Sequence, residues 1–125
     1  MYLLDTNIFL EIFLEQEKSI QCENFLNANV GKIAITDFTL HSIGIILFRY
    51  ARQQCFASFI SEVLDKIDFL TLPLDKLISL PSYSEETGLD FDDAYQCLVA
   101  KTFAKTIVTM DSDFKKAVDV KVQFL

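Results

Sequence analysis

Glycine and proline are scarce, with three Gly and two Pro in 125 residues. So few turn-formers argue against a loop-rich chain or an all-β fold built on many tight turns. Three scattered glycines also exclude a Gly-rich phosphate loop of the GxGxxG kind. Tryptophan is absent, and histidine occurs once, at His41. The three cysteines, Cys22, Cys55 and Cys97, are odd in number and far apart. Without a CxxC pair they read as buried thiols in a reducing cytoplasm, not as a zinc or redox site. The longest apolar run, Ile43 to Phe48, falls far short of the roughly 20 residues a membrane span needs. No basic stretch precedes an apolar run near Met1, so no secretory leader and no membrane partner are expected.

Cations are the other shortage. Lys and Arg number 11 against 18 Asp and Glu, a net charge of −7. Such a chain lacks the broad basic surface with which most nucleic-acid binders neutralise phosphate. Apolar material is plentiful, at 51% of residues with mean hydropathy +0.29, which excludes a disordered chain. The length suits a single domain over residues 1–125.

Short apolar runs alternate with helical patterns. Tyr2 to Leu4, Ile33 to Ile35, Phe69 to Leu72, Thr106 to Thr109 and Val120 to Phe124 read as strands. Between them, Ile8, Phe9, Ile12 and Phe13 recur at helical spacing, with Thr6 or Asn7 available as cap. Helices are expected over about 20–26, 36–52, 56–64, 75–86 (bent or ended at Pro81) and 91–103, with a short one over 114–118. Strands alternating with helices imply a parallel sheet covered on both faces. Ligands then bind at the carboxyl ends of the strands, near the point where strand order reverses.

Acids stand at those ends. Asp5 follows the first strand, Asp37 the second, and Asp111 and Asp113 the fourth, while Asp92 and Asp93 open the helix leading into that fourth strand. Each alone has an ordinary explanation as a helix cap, first-turn acid or turn residue. Together, carboxylates converging on one sheet edge repel, and protons or cations must neutralise them. An oxygen-only donor set selects Mg²⁺ or Mn²⁺ and argues against zinc. Five of these acids, Asp5, Asp92, Asp93, Asp111 and Asp113, equal five of the seven net negative charges. The acidity is therefore partly that of a metal site and does not by itself exclude a phosphate substrate.

Three blocks carry a resemblance. Leu3-Leu4-Asp5-Thr6-Asn7-Ile8-Phe9-Leu10, Leu89-Asp90-Phe91-Asp92-Asp93-Ala94 and Thr109-Met110-Asp111-Ser112-Asp113-Phe114 occur in the order and spacing of PIN-domain nucleases, and the chain resembles the VapC-type members of that family. The resemblance implies a three-layer α/β/α sandwich with a five-stranded parallel sheet. It implies a metal-dependent ribonuclease acting on RNA, with an antitoxin protein and a homodimer as partners. It makes Asp5, Asp93 and Asp111 metal-binding acids and Asp113 an auxiliary one, with Thr6, Asn7 and Asp92 supporting them. One position departs from the pattern. The family places a Glu six residues after the Ser or Thr that opens the helix following the second strand. Here that residue is Ser42, and no Glu occurs between Lys32 and Ser61. Either Asp37 serves as the fourth catalytic acid, or the site has lost one acid and binds metal weakly.

Other small α/β folds fit less well. A receiver domain needs paired acids after its first strand and a late Lys. An aspartate-nucleophile phosphatase needs Asp-x-Asp where this chain has Asp5-Thr6-Asn7. A PIN-like domain with a degraded site, acting as a binding or regulatory module, is the non-enzyme alternative.

Overall fold

The structure is a computed structural model that describes residues 1–125. Its elements run β1 (Tyr2–Leu4), α1 (Thr6–Phe13), α2 (Ser19–Ala28), β2 (Ile33–Thr36), α3 (Asp37–Arg49) and α4 (Gln53–Ser58). They continue with β3 (Asp68–Leu70), α5 (Leu74–Leu77), α6 (Leu80–Thr87), α7 (Phe91–Thr102), β4 (Thr106–Thr109) and β5 (Val122–Phe124). All strand pairs are parallel, in the order β3-β2-β1-β4-β5.

Alternation along the strands divides the core in two. Leu3, Ala34 and Ile107 share a register row and pack with Leu80, Tyr83, Leu98 and Phe114 beneath α6 and α7. Their neighbours Leu4, Ile35 and Val108 point the other way, against Ile8, Phe9, Cys22, Ile43 and Leu47 of α1, α2 and α3. The result is the expected three-layer α/β/α sandwich. Gly44 lets α4 lie close on α3, because a Cβ there would stand 3.3 Å from the Phe56 ring.

Several helices differ from the sequence expectation. The helix expected over 75–86 is two, α5 and α6, and Pro81 sits in the first turn of α6. That position has no helical partner for an N–H, so proline starts the helix instead of bending it. The segment expected as a helix over 56–64 begins earlier, at Gln53, and passes into a π turn (Phe59–Val63) and a 3-10 turn (Leu64–Lys66). The short helix expected over 114–118 is a 3-10 turn over Ser112–Lys116. No helix is long and apolar enough to cross a membrane.

The strand order sets the place of the site. From β1 the chain winds outward through β2 and β3, and β4 then returns to the other side of β1. The reversal opens a crevice at the carboxyl ends of β1 and β4, where Asp5 and Asp111 emerge.

Candidate metal centre

Asp5 caps α1 and is held at both oxygens. Oδ1 accepts from the Thr6 backbone N–H at 2.8 Å, and Oδ2 accepts from the Thr109 hydroxyl at 2.8 Å. The cap is thus Asp5 itself, not Thr6 or Asn7. The fully buried Thr109 hydroxyl is a hub, because it also accepts from the Asp111 N–H (3.0 Å) and from Asn7 Nδ2 (3.3 Å). Asn7 Oδ1 takes the Met110 N–H at 3.3 Å, tying α1 to the end of β4. Asp111 Oδ1 accepts from the Asp113 N–H at 2.9 Å and closes the turn after β4.

Asp92 and Asp93 come from the first turn of α7, where carboxylates complement the helix dipole. Gly88, at φ 75°, ends α6 in the left-handed region and reverses the chain just before α7. Asp93 is buried, and one carboxylate oxygen from each of Asp93, Asp111 and Asp113 lies within 4.8 Å of the others. A cleft of about 250 Å³ runs past Asp93 and Asp111 and is lined also by Asp5, Thr6, Asn7 and Asp92 and by Gln96, Phe38 and Ser42.

The electrostatics follow from burial and crowding. Asp93 is pushed up to about 7 by burial first, and then by Asp92, Asp5, Asp111 and Asp113. Burial also raises Asp5, and Asp111 adds to the rise, while the Thr109 hydroxyl, the Thr6 N–H and the Gln96 amide pull it back. No Lys or Arg lines the cleft. Lys101 is bound to Asp119 at 2.6 Å, Lys115 stands over the Phe124 ring, and Arg52 donates to the Phe13 carbonyl. Metal-free, these carboxylates therefore have only protons and nearby N–H and O–H donors to offset their charge.

Asp37 is not in this cleft. Its Oδ1 accepts from the Tyr95 hydroxyl at 2.7 Å, and it lines a separate pocket beside His41. As the first residue of α3 it shares that pocket with Leu72, Leu74 and Leu77 from the segment after β3. The acid that joins Asp5, Asp93 and Asp111 along the cleft is Asp92. Ser42 does reach the cleft wall, where it presents a hydroxyl.

Two further residues, Thr109 and Gln96, hold the site together. Thr109 was legible only as part of a motif, yet it fixes three site residues at once. Gln96 is almost fully buried, accepts from the Thr36 hydroxyl and donates to Thr39 Oγ1, both at 2.8 Å. Its signal was its place three residues after Asp93 on an otherwise apolar helix face, where a buried amide must have partners.

The PIN domain family model matches residues 2–120. The chain belongs to the PIN domain family. No curated protein matches it in sequence. Among solved structures, this PIN domain is similar to a toxin–antitoxin complex from Klebsiella pneumoniae, at TM-score 0.78 and 20% identity over 98% of this chain and 96% of that one. It is similar to Mycobacterium tuberculosis VapC20, a sarcin-ricin loop cleaving toxin, at TM-score 0.83 and 12% identity over 98% and 99%. It is also similar to DNA-bound VapBC from Salmonella typhimurium, at TM-score 0.80 and 14% identity over 98% and 96%. At such identities the likeness is one of fold.

Proposed function

We propose that this PIN domain is a metal-dependent endoribonuclease that hydrolyses RNA phosphodiester bonds. The observation that carries the reading is the approach of Asp93, Asp111 and Asp113 within 4.8 Å, beside a doubly held Asp5. The donor set is oxygen only and anionic, which suits Mg²⁺ or Mn²⁺. Asp93, Asp111 and Asp113 would hold the ion, with Asp5 adding charge from the end of β1. When bound, such an ion supplies Lewis acidity to the phosphodiester and a nucleophile at neutral pH.

The chain's own residues do the rest. Thr109 and the Thr6 N–H prevent Asp5 from turning away as charge accumulates. The proton that Asp93 retains near pH 7 in the metal-free protein is the one a cation displaces, so metal affinity rises with pH. Asn7 fixes the turn that carries Asp111. With no Lys or Arg in the cleft, the grip on RNA depends on the ion.

The proposal includes an antitoxin protein and a second copy of the chain as partners. Support comes from the antitoxin complexes of the similar folds and from the exposed apolar side chains of Ile45, Phe48 and Tyr50 near the end of α3. A cytoplasmic setting belongs to it as well, in keeping with three free cysteines. The test is RNA cleavage resolved on a denaturing gel. Cut products are expected with Mn²⁺, none with a chelator and none from Asp111→Asn. Ser42 in place of a carboxylate favours a second reading, a metal-binding regulatory module, and metal binding without cleavage of any RNA would select it.

A further inference from the structure

A second pocket adjoins the metal cleft, and Phe38 lines both. It has a volume of about 320 Å³, near the lower end of ligand pockets. Its walls are aromatic and aliphatic. Phe91 is 59% exposed and stacks on Tyr95 with ring centroids 6.2 Å apart and planes at 21°, while Tyr95 packs against Phe38. The Tyr95 hydroxyl is fully used, donating to Asp37 Oδ1 and accepting the Leu72 N–H at 3.0 Å. Asp37 Oδ2 has no hydrogen-bond or ion-pair partner, and no Lys or Arg lines the pocket. An open aromatic face beside a free anionic acceptor suits a flat ring that presents N–H donors at its edge, with His41 as the one other polar side chain of the lining.

We propose that this pocket is a nucleobase subsite of the same RNA-binding surface, resting on the nuclease reading above, and that it takes an unpaired guanine. Phe91 supplies the stacking face, as aromatic side chains do for unpaired bases. Asp37 takes the N1–H and the exocyclic amino group, two adjacent donors that guanine alone presents together. Uracil flanks its single N–H with carbonyl oxygens, which the carboxylate repels. Phe38 lines both pockets and so sets this one beside the acids, where a base seated in it would keep its own strand near the cleft. Asp37 thereby selects substrate instead of binding metal.

The experiment uses the metal-free protein, so its readout is independent of cleavage. Amide shifts are followed while guanosine, adenosine, cytidine and uridine 5′-monophosphates are added in turn. Guanosine monophosphate is expected to move the signals of Asp37, Phe91 and Tyr95 with the highest affinity, and uridine monophosphate with the lowest. Phe91→Ala should weaken the binding about tenfold. Asp37→Asn keeps an oxygen for the Tyr95 hydroxyl and should remove the guanine preference, whereas Asp111→Asn should change neither. Absence of shifts around the pocket, or a guanine preference that survives Asp37→Asn, overturns the proposal. So does a wild-type dimer that Phe91→Ala dissociates in sedimentation, since a second copy would then fill the pocket. RNA cleavage by wild type without nucleotide shifts overturns the subsite alone. Guanine binding without RNA cleavage overturns the nuclease reading and leaves the pocket assignment standing.

Discussion

Asp37 and Asp93 are the same residue type in the same local setting, the first turn of a helix beside the sheet. One turns towards Tyr95 and an aromatic pocket, and the other is buried among four carboxylates. Helix chemistry does not separate them. Sheet order does. The helix α3 leaves β2, one strand away from the reversal, whereas α7 enters β4 at the reversal itself. Position relative to the switch point decides whether a first-turn acid becomes part of a charged site or a hydrogen-bond acceptor at its margin.

The largest contrast should appear in cleavage. Asp93→Asn and Asp111→Asn should each lower the RNA cleavage rate about 100-fold or more, through loss of the ion's contribution. Asp37→Asn should alter base preference with a smaller loss of rate. Equal losses at positions 37 and 93 in a gel-based rate assay would erase the distinction. Thr109→Val comes next. It leaves Asp5, Asn7 and the Asp111 N–H without their common partner and should weaken Mn²⁺ binding about 10- to 100-fold by calorimetry. Ser42→Glu sharpens the contrast from the other side, since it restores an acid to the cleft wall. Mn²⁺ affinity should rise about tenfold, because ligand charge count tunes such sites.

A smaller effect is expected in stability against pH. Asp93 titrates near 7 in the folded metal-free protein but near 3.8 when unfolded. A raised carboxyl stabilises the fold below the lower value, and that stability is lost as pH rises from about 4 through 7. The melting temperature of the metal-free protein should fall across that window. Asp93→Asn should melt about 5 °C higher than wild type at pH 8. A flat profile in wild type by thermal denaturation would show that Asp93 is not crowded. The smallest effect is that of Tyr95→Phe, which removes the bonds to Asp37 and Leu72 and should cost about 1 kcal/mol in denaturant unfolding with Mn²⁺ affinity unchanged.

Much of the fold is legible in the sequence. The apolar runs at Tyr2, Ile33 and Thr106 are short and continuous because both sheet faces are covered, and that pattern implies a parallel sheet directly. Asp5, Asp93 and Asp111 were visible because each belongs to a motif at a strand end or helix start. Strand adjacency alone does not say which strand lies beside the reversal, so the sequence leaves Asp37 with the other acids, whereas the structure places it in a pocket separate from Asp5, Asp93 and Asp111. Thr109 and Gln96 were missed because a hydroxyl or amide gains importance only through partners distant in sequence: 104 residues for Thr109 to Asp5 and 60 for Gln96 to Thr36. Pro81 reads in sequence as bending or ending a helix, whereas it sits in the first turn of α6, since periodicity does not mark the break between α5 and α6.

The central claim is that Asp93, Asp111 and Asp113, with Asp5 behind them, form a cation site. Titration calorimetry of Mn²⁺ into wild type and Asp93→Asn near pH 7 tests it most directly. The account predicts binding to wild type accompanied by proton release, seen as a heat that depends on the buffer, and binding at least about tenfold weaker to the variant. No heat with either protein, or equal affinity in both, would contradict it.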